Sequence, residues 1–226
     1  MKQSKRYRSA IKAYDSEKAY SLEEAIDLLV AMPRVKFDET FEASGMLGAD
    51  PKQSDQMVRG SVVLPSGTGK KIRTLVFCEP EKEAEAKEAG ADHIGTQDLI
   101  DKILKEGWLE FDCCISTPGQ MRLVSKLGKF LGPRGLMPSP KTGTVTENIS
   151  FAIKEAKRGK IDFRMDKFGC IHVAIGKMSF SKEALTANAK AFVDALNASR
   201  PSSVKGDFIK SFYLSSTMSP SVKITI

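Results

Sequence analysis

No apolar run in this chain approaches the roughly 18 residues that a bilayer-crossing helix needs. The charged, polar start from Met1 to Arg8 has no hydrophobic segment behind it, so neither a membrane span nor an export signal is expected. Cysteine is sparse. Cys78, Cys113, Cys114 and Cys170 include no Cys-x-x-Cys pair, which argues against a zinc site and a disulfide framework. Reduced, buried thiols of a cytosolic protein are the expectation, with adjacent Cys113 and Cys114 on opposite faces of a strand. Histidine is limited to His93 and His172, and no Ser, Cys or carboxylate stands at motif spacing from either. A phosphate-cradling loop is also missing. Gly69-Lys70 is followed by Lys71 instead of a hydroxyl residue, Leu64 holds the place of the first glycine, and Ile72 spoils any Gly-x-Gly-x-x-Gly frame from Gly67. No catalytic residue, cofactor or metal is therefore expected, and a nucleotide-binding enzyme is kept only as the alternative.

Acidic residues are absent between Asp112 and Glu147, a stretch that holds Arg122, Lys126, Lys129, Arg134 and Lys141. The whole chain has 35 Lys+Arg against 28 Asp+Glu, a net charge of +7 and a pI near 9.2. The surplus is uneven: residues 1–67 balance at 10 against 10, whereas residues 160–226 carry 10 against 5. Such a balance speaks to partners with phosphate backbones, not to fold. Within Lys126–Thr144, Pro133, Pro138 and Pro140 fix φ and lack donors while glycines intervene, so a long, shaped, non-helical surface loop is expected. Leu131, Leu136 and Met137 argue that it is ordered. It either presents its cations to a partner or packs on its own domain.

Along the chain, Ser21-Leu-Glu-Glu24 signals a helix start that Pro33 stops. Strands are expected at Phe37–Leu47 and Gly60–Leu64, and Pro65–Gly69 breaks the pattern. From Ile72 to Gly159 strands alternate with helices (Ile72–Cys78, Glu81–Ala89, near Ile94, Leu99–Leu104, Phe111–Ser116, Pro118–Leu127, Glu147–Arg158), the rhythm of a parallel sheet with helices on its faces. Then Lys160–Met165 and Ile171–Lys177 read as a hairpin about Lys167-Phe168-Gly169. Ser181 caps a helix to about Ala198, and Phe208–Ser215 and Val222–Ile226 read as closing strands. The fold class expected is α/β with two domains: a discontinuous α+β sheet domain from 1–67 and 160–226, and an inserted Rossmann-like domain from 68–159, with Gly67 and Gly159 as hinges. One continuous domain is the alternative.

An open sheet showing polar and aromatic side chains suits recognition of folded RNA. Lys36-Phe37 opens one strand that Thr40 and Glu42 continue, though Phe37 could equally be core. Arg164, Asp166 and Lys167 crowd a turn that could also be merely solvated. Ser215–Pro220 offers hydroxyls, amides and one apolar residue, Met218, for sugar, phosphate and base contacts.

The string KLGKFLGPRGLMPSPKTGT from Lys126 to Thr144, with Lys36-Phe37, Ser54-Asp55-Gln56, Arg59-Gly60, Leu64–Gly69 and Thr217-Met218 in order, resembles the bacterial-type ribosomal protein L-one family along essentially the whole chain. The resemblance implies a large-subunit stalk protein in the cytoplasm that binds large-subunit rRNA, helps exit-site tRNA release and represses its own operon by binding mRNA. It implies a monomer off the ribosome, other ribosomal components as neighbours, and the split domain arrangement. It puts rRNA contacts at Phe37, Thr40, Arg164, Asp166, Lys167, His172, Ser211, Thr217 and Met218, and Lys36 beside Phe37 is expected to join them. The charge of Arg122, Lys126, Lys129, Arg134 and Lys141 itself gives the expectation of a tRNA or secondary RNA contact there. Two departures bear on the contact: Ser219 replaces a glycine, with strain if the backbone there needs φ > 0, and Met165 replaces a polar residue.

Overall fold

The computed structural model describes residues 4–225, in which the protein is a mixed α/β structure with several sheets, one of them parallel. In chain order the strands are β1 (Thr40–Leu47), β2 (Arg59–Val63), β3 (Thr74–Phe77), β4 (His93–Gly95), β5 (Cys113–Ser116), β6 (Lys160–Arg164), β7 (Cys170–Lys177), β8 (Ile209–Ser216) and β9 (Val222–Ile224). Ile226, included in the expected last strand, lies outside the described residues, as do Met1 to Gln3. The chain divides into two compact units, Met1–Gly69 with Ile161–Ile226, and Lys70–Lys160. No helix among the described residues is long and apolar enough to cross a membrane.

The first unit is built on an antiparallel sheet of order β7-β1-β8-β9. Alternation decides its faces. Phe41, Ala43 and Leu47 of β1, Ile171, Val173 and Ile175 of β7, and Phe212 and Leu214 of β8 point into the core. There they meet Ile26 and Leu29 of the helix Leu22–Ala31, and Leu185, Ala189, Phe192 and Leu196 of the helix Lys182–Ala198. Burying each large apolar side chain contributes about 1.5–3 kcal/mol before ordering costs. The helix Leu22–Ala31 starts as its sequence dictates: Ser21 Oγ accepts the Glu24 N–H at 3.3 Å, and the Glu24 carboxylate accepts the Ser21 N–H at 3.0 Å. Both helices cover one face of the sheet, and the alternate residues of β7, β1 and β8 stay outside the core.

Three local expectations are corrected. The first strand starts at Thr40, with Lys36 and Phe37 in a bend before it. The segments around Lys167–Gly169 do not form a hairpin ladder: β7 pairs with β1, whereas β6 pairs with β2 in a separate two-stranded sheet. An N-terminal helix, Lys5–Lys12, has no counterpart among the expected elements; its only buried residue is Ala10, so it lacks the apolar stripe that marks a helix in sequence.

In the second unit β4-β3-β5 form a parallel sheet. All of β3 is buried. Leu75 and Phe77 pack with Ile100, Ile103, Val124, Leu127 and Leu131 on one side, while Val76 and Cys78 pack with Ala86, Ile149 and Ile153 on the other. Cys114 and Cys113 likewise go to opposite clusters. Asp112 fixes the edge of this sheet. It meets Lys70 Nζ at 2.9 Å and Arg73 Nε at 3.2 Å, and accepts the Arg73 N–H. The hydrogen bond from Lys70 outweighs the upward pull of burial and, with Arg73, lowers the carboxyl to about 2.

The segment Lys126–Thr144 is not wholly non-helical. Helical turns occupy Ser125–Leu127, Gly128–Leu131 and Pro140–Thr142. Leu127 and Leu131, four residues apart and fully buried, drive the first two turns, and the first proline comes only after them. Pro140 sits at the start of its turn, where a missing N–H costs nothing.

Candidate nucleic-acid interface

One carboxylate organises one end of the four-stranded sheet. Glu39 is 4% exposed. It accepts the hydroxyl of Ser216, the N–H of Met218 at 3.1 Å and the N–H of Val35 at 3.2 Å, and its own carbonyl accepts the Met178 N–H at 2.9 Å. Burial pushes its carboxyl up, yet these bonds and the charge of Arg6 bring it net below the ordinary value, so it is a carboxylate at neutral pH. Arg6 also donates to the carbonyls of Met218 at 2.7 Å and Pro33 at 3.1 Å.

Thr40 and Thr217 are interlocked beside it. The Thr40 N–H donates to Thr217 Oγ1 at 2.9 Å, the Thr217 N–H donates to the Thr40 carbonyl at 3.1 Å, and Lys177 Nζ donates to Thr40 Oγ1 at 2.9 Å. This scaffold leaves two apolar side chains uncovered, Phe37 at 54% and Met218 at 47%. Phe37 is therefore not core. Lys36 is exposed in the same bend.

The other sequence-predicted residues gather toward the opposite end of β1. Asp166 begins a tight turn: its Oδ1 accepts the N–H groups of Phe168 and Cys170, both at 2.8 Å, and its N–H donates to the Cys170 carbonyl. The Cys170 N–H bond, working against slight burial and aided by the Phe168 N–H and His172, lowers its carboxyl. Lys167 and His172 are exposed. Register aligns Cys170, Met46 and Ser211 in one row and His172, Ser44 and Tyr213 in the next. Met46 lies six positions along β1 from Thr40, about 20 Å of strand. Arg164 is exposed but belongs to β6, in the two-stranded sheet, so it does not share this face.

Further residues complete the surface, and of these Ser44, Met46, Tyr213 and Phe168 were not among the sequence candidates. Glu42, Ser44, Met46, Tyr213 and Ser215 alternate with buried neighbours and so lie on the uncovered face. Phe168 stands 82% exposed at the turn tip. The period-2 alternation of β1 and β8 was the available signal for the first five. Glu39 had none, because Ser216 and Met218, the partners that fix it at this end of the sheet, are 177 and 179 residues away.

The two departures have plain outcomes. No non-glycine residue among the described ones has positive φ, so Ser219 is unstrained; its hydroxyl accepts the Ser216 N–H at 2.8 Å and closes the turn. Met165 is 2% exposed and faces the core. Gly67 and Gly159 both adopt positive φ. Gly159 caps the helix Ile149–Arg158, and the Gly67 carbonyl is held by the buried Asn188 at 2.9 Å. In the second unit Arg122, Lys126, Lys129, Arg134 and Lys141 are all exposed, and none forms an ion pair among the described residues. His93 packs edge-on to Trp108 at 4.8 Å, a structural placement.

Residues 12–220 match the model of the Ribosomal protein L1p/L10e family. Large ribosomal subunit protein uL1 of Persephonella marina is 51% identical over all of this chain and 94% of its own length. The proteins of the same name from Chlamydia pneumoniae and Nitratidesulfovibrio vulgaris are 52% and 51% identical, each over 99% of this chain and 96% and 94% of their own lengths.

Proposed function

The chain belongs to the Ribosomal protein L1p/L10e family, and from that premise we propose that it anchors itself on large-subunit rRNA through the first unit. As a member of this family it is a structural protein of the large ribosomal subunit in the cytoplasm, not an enzyme, and the nucleotide-enzyme alternative is set aside. The observation that carries the rRNA reading is the pair Phe37 and Met218. Two uncovered apolar side chains stand on a hydrogen-bonded frame of Glu39, Thr40, Ser216 and Thr217, among Lys36, Arg6 and Lys177. Such a frame costs little ordering on binding, and its apolar groups suit stacking on a base or ribose while the cations meet phosphates. His172, Ser211, Asp166 and Lys167 extend the contact along the uncovered sheet, and Arg164 contributes from beside it.

The two units act as separate domains, an anchor from 1–67 with 160–226 and an inserted arm from 68–159, with Gly67 and Gly159 at the joints. The arm's exposed cations, Arg122 to Lys141, attract exit-site tRNA or neighbouring rRNA and assist tRNA release. The same anchor surface, offered an mRNA that mimics the rRNA site, represses the protein's own operon. Off the ribosome the chain is a monomer.

Met218→Ala and Phe37→Ala test this most directly, since neither side chain bonds to the frame. Each should weaken binding of an rRNA fragment by about 1–3 kcal/mol, the scale of one base–side-chain stack. Unchanged affinity in both would remove the anchor from this end of the sheet.

A further inference from the structure

Cys170 stands in the sequence as a thiol without a partner motif. The fold gives it two. β7 places Cys170 and His172 two residues apart on the uncovered face, and the tight turn before it carries Asp166 back alongside them. The ligand atoms of the three side chains all lie within 4.8 Å of one another. We propose that Asp166, Cys170 and His172 form a three-ligand site for a divalent cation of the zinc class, with water completing the coordination.

The donor set selects the metal. Thiolate and imidazole together favour zinc over magnesium or calcium, which take oxygen ligands. A tetrahedral zinc with bonds of about 2.0–2.3 Å spaces its donors a little under about 4 Å. The trio therefore closes on an ion by small side-chain rotations. Asp166 is already held: both its hydrogen bonds from the turn fall on Oδ1, the kind of outer support that orients a ligating carboxylate. Cys170 is half-buried and forms no disulfide, and His172 is exposed. On binding, the thiol releases its proton to solvent, and thiolate plus carboxylate neutralise the ion. Asp166 and His172 belong to the proposed rRNA face, so, if that reading holds, cation and RNA draw on the same side chains and exclude each other.

The test uses the full chain stripped by a chelator and titrated with Co²⁺, whose bond to a thiolate produces a charge-transfer absorption band. One equivalent should raise the band. Cys170→Ser should abolish it, and His172→Ala, at an exposed position where folding is not at stake, should weaken binding at least about tenfold. Absence of the band, or its persistence in Cys170→Ser, overturns the site. In a second arm, saturating Zn²⁺ should lower affinity for an rRNA fragment about tenfold in the wild type and leave Cys170→Ser unaffected. If cobalt binds but zinc leaves RNA affinity unchanged, mutual exclusion is overturned and the site stands. If the metal-free protein ignores RNA altogether, the anchor reading fails and the metal site is judged on cobalt alone.

Discussion

Glu39 ties its own stretch, through Val35, to the turn at Ser216–Met218 with a single carboxylate, and its removal strands the partners it satisfies. Glu39→Ala leaves the Ser216 hydroxyl and the N–H groups of Val35 and Met218 without their acceptor, at a cost of about 1–3 kcal/mol for a buried unsatisfied group. Glu39→Gln keeps one acceptor oxygen and should lose less, which urea denaturation of the two variants would measure. The direction of pH dependence follows from its lowered carboxyl. A carboxylate depressed in the folded state stabilises fully above its unfolded value of about 4.3, and that stability is lost as pH falls through the lower folded value. Glu39→Gln should therefore flatten the acid limb of the wild-type stability curve. Thr217→Ala is a less clean probe of RNA binding than Met218→Ala, because it also deletes the acceptor of the Thr40 N–H. At this scale the sequence showed Thr217 and Met218 as candidates, but not Glu39. A buried acid and a surface acid look alike until distant segments meet.

Elements in this protein are joined by a few satisfied polar groups. Asn188, fully buried in the helix Lys182–Ala198, donates to the carbonyls of Gly67 and Ile175 and accepts the Ser66 N–H at 3.0 Å. Asn188→Leu should fill similar volume yet destabilise the protein by several times the about 1 kcal/mol of an ordinary hydrogen bond, since three backbone groups lose their partner at once. Thermal unfolding would read it, and a neutral result would show that the segment after β2 is held by something else. In the second unit, Asp112→Asn removes a carboxylate shared by Lys70 and Arg73. Both cations are more than half exposed, so the loss should be only about 1 kcal/mol. With the folded carboxyl near 2, that contribution is whole above about pH 4 and fades between there and about pH 2, a window the variant should lack. Element identity was mostly legible in sequence, because capping at Ser21 and Ser181 and the β/α rhythm are local signals. Strand pairing was not. The expected hairpin failed because β6 and β7, though adjacent in sequence, satisfy their edges on different partners.

Over the whole molecule, the exposed cations of Arg122 to Lys141 lie in a stretch with no acid to cancel them. Reversing all five should weaken RNA binding about equally for any sequence. The slope of affinity against salt should fall by roughly one unit for each phosphate that no longer meets a cation. An unchanged slope would make that stretch a structural one. The α/β class and the basic asymmetry were both readable in advance, since composition and periodicity carry them. The trio Asp166, Cys170 and His172 was not, because Asp-x-x-x-Cys-x-His matches no metal spacing until the turn at Asp166 folds back.

The β2–β6 ribbon has a consequence for how such a chain can be edited. Met165 donates to the Val58 carbonyl, and the absent side chain of Gly60 makes room for the Phe163 ring, where an added Cβ would lie 2.7 Å from it. Residue numbers rise along one strand as they fall along the other, so the strands run antiparallel. The chain thus departs and comes home on neighbouring rails, and the whole Lys70–Lys160 unit is, to that ribbon, an oversized turn. Closing a long turn costs only logarithmically more than closing a short one. Swapping that unit for a few flexible residues should spare the fold of the first one.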